Sequence, residues 1–225
     1  MSKSFWGVIA AIVIIFGIVF FATRSNNTAG GSGSTGSYNV EGLGKAGVKL
    51  VEYGDYECPY CEEYYPIVKQ VVSDEFNNIT FQFVNFPLTS IHPNAYAGAR
   101  AAQAAALMGK FWQMHDALYN SGNWQVWSTS SNPIPYFKQY AKSLGLNVNT
   151  FMKDFNSNQV NNIIEADMNK GNKLNIQGTP TFFLDGKQIS VAPQVSAFEK
   201  LINQAIAAHG KVTNTKSGAT AQTKK

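Results

Sequence analysis

Hydrophobic and polar positions along the chain fall into four regimes. Residues 5–22 are uncharged and almost continuously apolar. Residues 25–37, SNNTAGGSGSTGS, carry no large apolar side chain. From Val48 to Ala208 the pattern is periodic, and from residue 210 onward it is polar and basic. The first run, as a helix, spans about 27 Å, close to the hydrocarbon thickness of a bilayer. It ends Val19-Phe20-Phe21-Ala22-Thr23, without the small-residue cleavage pattern of a secretory signal. It therefore reads as a retained anchor in preference to a removed leader. Either reading exports the rest of the chain. The Gly/Ser stretch cannot bury apolar area and reads as a flexible tether with a reach of about 20 Å. The expected organisation is a cytoplasmic N-terminus (1–4), a transmembrane helix (5–22), a linker (23–39), a folded domain (40–209) and a disordered basic tail (210–225).

Inside the domain the period changes several times. Residues 48–54 (VKLVEYG) and 79–86 (ITFQFVNF) alternate and predict strands, with a helical pattern over 62–76 between them. Helical periodicity then holds over 94–119, 135–144, 150–156 and 159–174. Two short strands, 181–184 and 187–191, flank Asp185-Gly186, a two-residue hairpin signal, and an amphipathic helix closes the domain over 196–208. The order is strand, helix, strand, helical block, hairpin, helix, which predicts an α/β fold without internal repeats.

Composition adds limits rather than direction. The domain, about 170 residues, is long enough for one sizeable core. The net charge of +4 is modest, and Lys211, Lys216, Lys224 and Lys225 sit in the last fifteen residues. No basic stripe is interleaved with aromatics, so nucleic-acid binding is set aside.

The chemistry concentrates in GDYECPYCEEYYP, which contains both cysteines of the 225-residue chain, Cys58 and Cys61. Cys58 follows a predicted strand and opens a predicted helix. Pro59 suits the first helical turn, where its missing N–H is no loss. The free N–H groups and the dipole of that turn favour a thiolate at Cys58. Cys61, one turn deeper, can close a disulfide with Cys58 or resolve a mixed disulfide formed there. A structural disulfide across so short a loop would constrain the unfolded chain little. A structural zinc needs about four ligands, and His92, His115 and His209 show no paired ligand spacing. Redox chemistry is the reading that spacing and context favour. Glu52 shares strand parity with Val48 and Leu50, which puts a carboxyl on the apolar face. Buried, it would hold its proton to higher pH and could relay protons to and from Cys61. Pro66 should kink the first helix. The Thr179-Pro180 bond precedes a buried strand and is a candidate cis peptide. His92 and His115 are expected to pack or cap, and Trp112, Trp124 and Trp127 to fill the core of the helical block.

VEYGDYECPYC, NFPLTSIHPNAYAGARAAQAA, GKFWQMHDALY and IQGTPTFFLDGK together resemble the DsbA-like branch of the thioredoxin superfamily, especially membrane-anchored bacterial forms. The resemblance implies a thioredoxin fold with an inserted all-helical subdomain, over about 92–174. It implies a nucleophilic Cys58, a resolving Cys61, a cis Pro180 facing the disulfide, a buried acid at Glu52 and a helix-kinking Pro66. Thr179, Pro59 and Tyr60 would flank the bound substrate. Tyr60 stands where the most oxidising members carry histidine. The implied activity is extracytoplasmic protein-disulfide oxidoreduction: disulfides are introduced into reduced exported proteins, without cofactor or metal. A monomer on the cell membrane would be re-oxidised by a membrane redox partner. A disulfide isomerase or reductase is the alternative, and a membrane-tethered holdase a more distant one.

Overall fold

The computed structural model describes residues 39–220, with side chains to Gly210. The anchor expected over 5–22, and the linker up to 38, lie outside the described residues. Among the described residues no helix is long and apolar enough to cross a membrane.

Five strands form a mixed sheet in the order β1–β3–β2–β4–β5. They are β1 (Asn39–Glu41), β2 (Val48–Gly54), β3 (Ile79–Asn85), β4 (Thr181–Leu184) and β5 (Lys187–Ile189). β2 and β3 are parallel, in register from Val48↔Ile79 to Gly54↔Asn85. The crossover between them is helix α1 (Pro59–Asp74). β4 lies antiparallel to the other side of β2 and carries β5 as the edge. Asp185 and Gly186, at φ +50° and +78°, make the two-residue turn between β4 and β5, as their pairing in the sequence predicts. The Asp185 carboxylate accepts from the Lys49 N–H at 2.8 Å and so ties the turn to β2.

β1 is not legible in the alternation. Three residues are too short to show a period, and Asn39, inside the expected linker, pairs with Phe83 as the first residue of an edge strand. Between β3 and β4 the chain makes six helices: α2 (Ala95–Leu107), α3 (Phe111–Tyr119), α4 (Ser121–Trp127), α5 (Ile134–Ser143), α6 (Val148–Phe155) and α7 (Asn158–Lys173). This is the expected helical insertion, with two differences of detail. The pattern over 94–119 is broken at Gly109, whose φ of +73° ends α2 and lets the chain turn into α3. α4 begins in Ser-Gly-Asn, which reads as loop; its first turn is capped by Asn120, whose side chain accepts from the Asn123 N–H. The closing helix α8 (Val195–Thr220) runs past the Ala208 end expected from its amphipathic face.

Both faces of β2 are covered. Val48 and Leu50 join Phe81, Phe83, Val68, Val71 and Val72 in the main core, with Phe198 and Ile202 of α8. Tyr53 joins Val84, Phe86, Ile176 and Phe183 in a second cluster. Glu52 has the parity of the main core and is 4% exposed, as its position in the strand predicts. The alanine-rich helix α2 packs with Ala101, Ala102, Ala104 and Ala105 fully buried, which permits close approach of its neighbours.

Candidate active site

The site is built on the joint between β2 and α1. Cys58 is the N-cap of α1, in extended conformation, and Pro59 is the first helical residue. The turn before it is closed by the Cys58 N–H donating to Asp55 O at 3.1 Å. Cys61 is fully buried one turn further on, and its sulfur accepts from the Asp55 N–H at 3.5 Å. From the far side of the chain comes Thr179. Its peptide bond to Pro180 is cis, and the Cys58 thiol donates to Thr179 O at 3.2 Å. The two cysteines, Thr179 and Pro180 therefore meet, as the resemblance implies. Cys58 is 3% exposed, whereas the neighbouring Tyr60 is 65% exposed. Pro66 stands inside α1, which continues through it from Pro59 to Asp74.

The electrostatics divide the two thiols. Cys58 is drawn down to about 6, first by the hydrogen bond from the Cys61 thiol; burial opposes this, and the Thr179 side chain and the backbone at Cys61 and Tyr60 assist it. The helix mouth thus contributes, but the partner thiol contributes most. Cys61 is pushed well above the ordinary thiol range by burial, then by donating to Cys58. Glu52 is pushed up to about 8 by burial and by the charge developing on Cys58. One sulfur is thus an anion at neutral pH, the other a thiol, and a protonated carboxyl sits within their field.

Glu52 also lines a cavity of about 260 Å³ whose walls include Trp112, His115, Tyr65, Lys69 and Asp116. Lys69 Nζ lies 2.7 Å from Asp116 Oδ2, and the Tyr65 hydroxyl donates to Asp116 Oδ1 at 2.9 Å. His115 is buried among Tyr56, Phe83, Trp112 and Tyr119, and burial drives it down to about 3, so it is neutral at pH 7. Its Nδ1 shares a 3.0 Å hydrogen bond with the Tyr56 hydroxyl. The expectation of a packing role holds for His115. Of the tryptophans, Trp127 is fully buried, but Trp112 faces the cavity and Trp124 has a different task.

Trp124 shares that task with His92, which caps as expected, and with Tyr119, Leu88 and Asn94, which the sequence does not single out. The turn Asp55-Tyr56-Glu57 is held at every residue by the insertion and the loop leading into it. Tyr119 donates its hydroxyl to Asp55 O at 3.0 Å. Trp124 Nε1 donates to Tyr56 O at 2.8 Å. Glu57 Oε2 accepts from the Asn94 N–H. The Asp55 carboxylate accepts from the N–H groups of Glu57 and Leu88 and from His92 Nδ1. The only local signal is the pair of acids in GDYEC; their partners lie too far along the chain for any period to link them. Among the described residues no three His, Cys, Asp or Glu side chains converge as metal ligands.

A family profile described as Thioredoxin matches residues 35–204. The chain is 33% identical over 169 residues to the Na(+)/H(+) antiporter NhaA 1 of Salinispora arenicola, covering 75% of this chain and 25% of that protein. It thus spans about a quarter of the length of such antiporter-named relatives. It is 25% identical over 201 residues to the probable disulfide bond formation protein D of Bacillus anthracis, covering 86% of this chain and 91% of that one. Among solved structures it is similar to a thioredoxin-like oxidoreductase from Silicibacter pomeroyi (25% identity, TM-score 0.62, 74% of this chain and 90% of that one). It is also similar in fold to oxidised BdbD from Bacillus subtilis (22% identity, TM-score 0.63, 75% and 92%). The chain carries its vicinal thiols at the mouth of α1 and belongs to the thioredoxin family.

Proposed function

We propose that this chain is a protein-disulfide oxidoreductase that works outside the cytoplasm and introduces disulfides into reduced exported proteins. The observation that carries the chemistry is the asymmetry of the pair: Cys58 titrates near 6 beside Thr179 O, while Cys61 is buried and stays protonated. In the oxidised protein a substrate thiolate attacks Cys58 Sγ. The Cys58–Cys61 bond breaks, and Cys61 leaves as a thiolate that takes the Glu52 proton. A second substrate thiolate attacks the substrate sulfur of the mixed disulfide and releases Cys58 as an anion. The substrate has lost two electrons and the enzyme has gained them. A stable Cys58 thiolate favours this direction, because it stabilises the reduced enzyme. The Thr179-Pro180 backbone and Tyr60 border the attacked sulfur and would hold the substrate chain; Pro59 starts the helix that faces it. Export is supported by the apolar run at 5–22 and the Gly/Ser tether, which would keep a monomeric domain beside a membrane partner that restores the disulfide.

A second reading, isomerase or reductase, has its own support. Tyr60, with its ring largely in solvent, gives the Cys58 thiolate no charge-assisted donor where a histidine would. Refolding of a reduced, denatured multi-disulfide protein separates the two. The oxidase in its disulfide form yields native protein in stoichiometric exchange, and its thiols are mostly oxidised in intact cells. Failure to oxidise, with rescue only of scrambled substrate and thiols found reduced in cells, overturns the oxidase reading. Full activity of Cys58→Ser would overturn both readings and leave the holdase.

A further inference from the structure

We propose that His92 is a positioning residue for disulfide exchange: by filling one oxygen of the Asp55 carboxylate it fixes the turn that presents Cys58 and delivers an N–H to Cys61. This rests on the exchange reading of the thiol pair, but not on the direction of exchange.

The Asp55 side chain is fully buried and that of His92 is 16% exposed. A buried carboxylate persists only where its oxygens are filled. Asp55 Oδ1 accepts from the Glu57 N–H at 2.8 Å, within its own turn. Oδ2 accepts from the Leu88 N–H at 2.9 Å and from His92 Nδ1 at 2.7 Å, both on the loop that leads from β3 to α2. His92 is the side chain among these donors. An ionised carboxylate only accepts, so the proton of this bond is on His92 Nδ1.

The main chain of Asp55 touches both cysteines. Its C=O receives the Cys58 N–H and the Tyr119 hydroxyl, and its N–H points at Cys61 Sγ. The Cys61 thiol is in turn the first stabiliser of the Cys58 anion. His92 reaches neither sulfur. Its influence passes through the placement of one residue, with the carboxylate as pivot. If the Nδ1 donor is lost, Oδ2 keeps one backbone donor and an unfilled position in a buried site, a deficit that the turn can relieve only by moving. The same loop continues to Asn94, whose N–H meets Glu57 and whose side-chain amide donates to Ser128 O and Ser130 O. The pivot is therefore anchored in the insertion.

A merely structural cap would alter melting and leave Cys58 unchanged in the folded protein. The test is the pH profile of Cys58 alkylation by iodoacetamide in the full-length protein, with folding checked by circular dichroism. His92→Leu should raise the midpoint by about half a unit, a roughly three-fold loss of thiolate on the flank. His92→Asn, whose amide nitrogen replaces Nδ1, should restore it, whereas His92→Gln, which mimics Nε2, should not. Asp55→Asn should shift the midpoint like His92→Leu, and the double variant should shift it no further. A folded His92→Leu with the wild-type midpoint overturns the proposal. Should His92→Leu fail to fold, the Asn and Gln variants decide: equal midpoints overturn it. The comparison does not depend on catalysis. A wild type that exchanges with neither a dithiol peptide nor a disulfide peptide, yet shows these shifts, refutes the exchange reading and supports the role of His92 at Cys58.

Discussion

Cys61 is the less reactive of the two thiols, and that is what makes the pair work. Buried and protonated, it donates to Cys58 and so makes the outer sulfur an anion. Cys58→Ser should abolish exchange. Cys61→Ser should still react once and then accumulate the mixed disulfide on Cys58, which mass spectrometry of the intact protein would detect. Glu52 gives a second expectation at this scale. Its carboxyl is raised from an ordinary 4.5 to about 8, so the folded protein keeps a proton that the unfolded chain has released. The stability it supports is complete below pH 4.5 and is lost as the pH rises through about 8. Denaturant midpoints measured across that window, in a Cys58→Ser background, should fall with pH. Glu52→Gln should flatten the slope and, above pH 8, exceed its parent by a few kcal/mol. These three residues are legible from spacing and strand parity. No local pattern singles out Thr179 and Pro180 as partners of Cys58; they enter through the family resemblance, because the contact closes across 121 positions.

At the scale of elements, β2 and β3 are legible nearly to the residue because buried and more open positions alternate over their first four residues, and β4 because the Asp185-Gly186 turn marks its end. β1 and α4 escape for opposite reasons: one is too short to show a period, and the other opens on residues that usually make loops. The packing between elements is invisible altogether. α7 meets the sheet through Gly171, where an added Cβ would lie 2.5 Å from Cδ2 and Cε2 of Phe86 and 3.4 Å from Tyr53 Cδ1. Gly171→Ala should cost about 1–3 kcal/mol by overpacking, in excess of the helix propensity gained, and a denaturant melt would show it. Gly54 has a related role: a Cβ there would enter the Phe83 ring and come within 3.2 Å of Glu52 Oε1. The last residue of β2 is glycine because the buried acid and the aromatic core leave no room for another atom.

For the molecule as a whole, the redox state and the stability of the fold are linked through Cys58. The thiolate is present in the reduced protein alone. Its folded value of about 6 lies below the ordinary 9, so the stability it confers is present at high pH and is lost as the pH falls through 6. The reduced form should therefore gain on the oxidised form as the pH rises from 6 to 9, by about 1.4 kcal/mol per unit at most. Paired calorimetric scans would read that gain as about 2–4 °C per kcal/mol. A constant gap between the two forms would show that the anion is not preferentially stabilised by folding. The bonds from Tyr119 and Trp124 to the turn before the cysteines have a consequence for the order of events in a growing polypeptide. Both sulfurs emerge from the ribosome well before the side chains that aim them. Until those helices have been made and docked, the two thiols are an ordinary pair on a loose loop, and competence to trade electrons arrives only with the completed architecture.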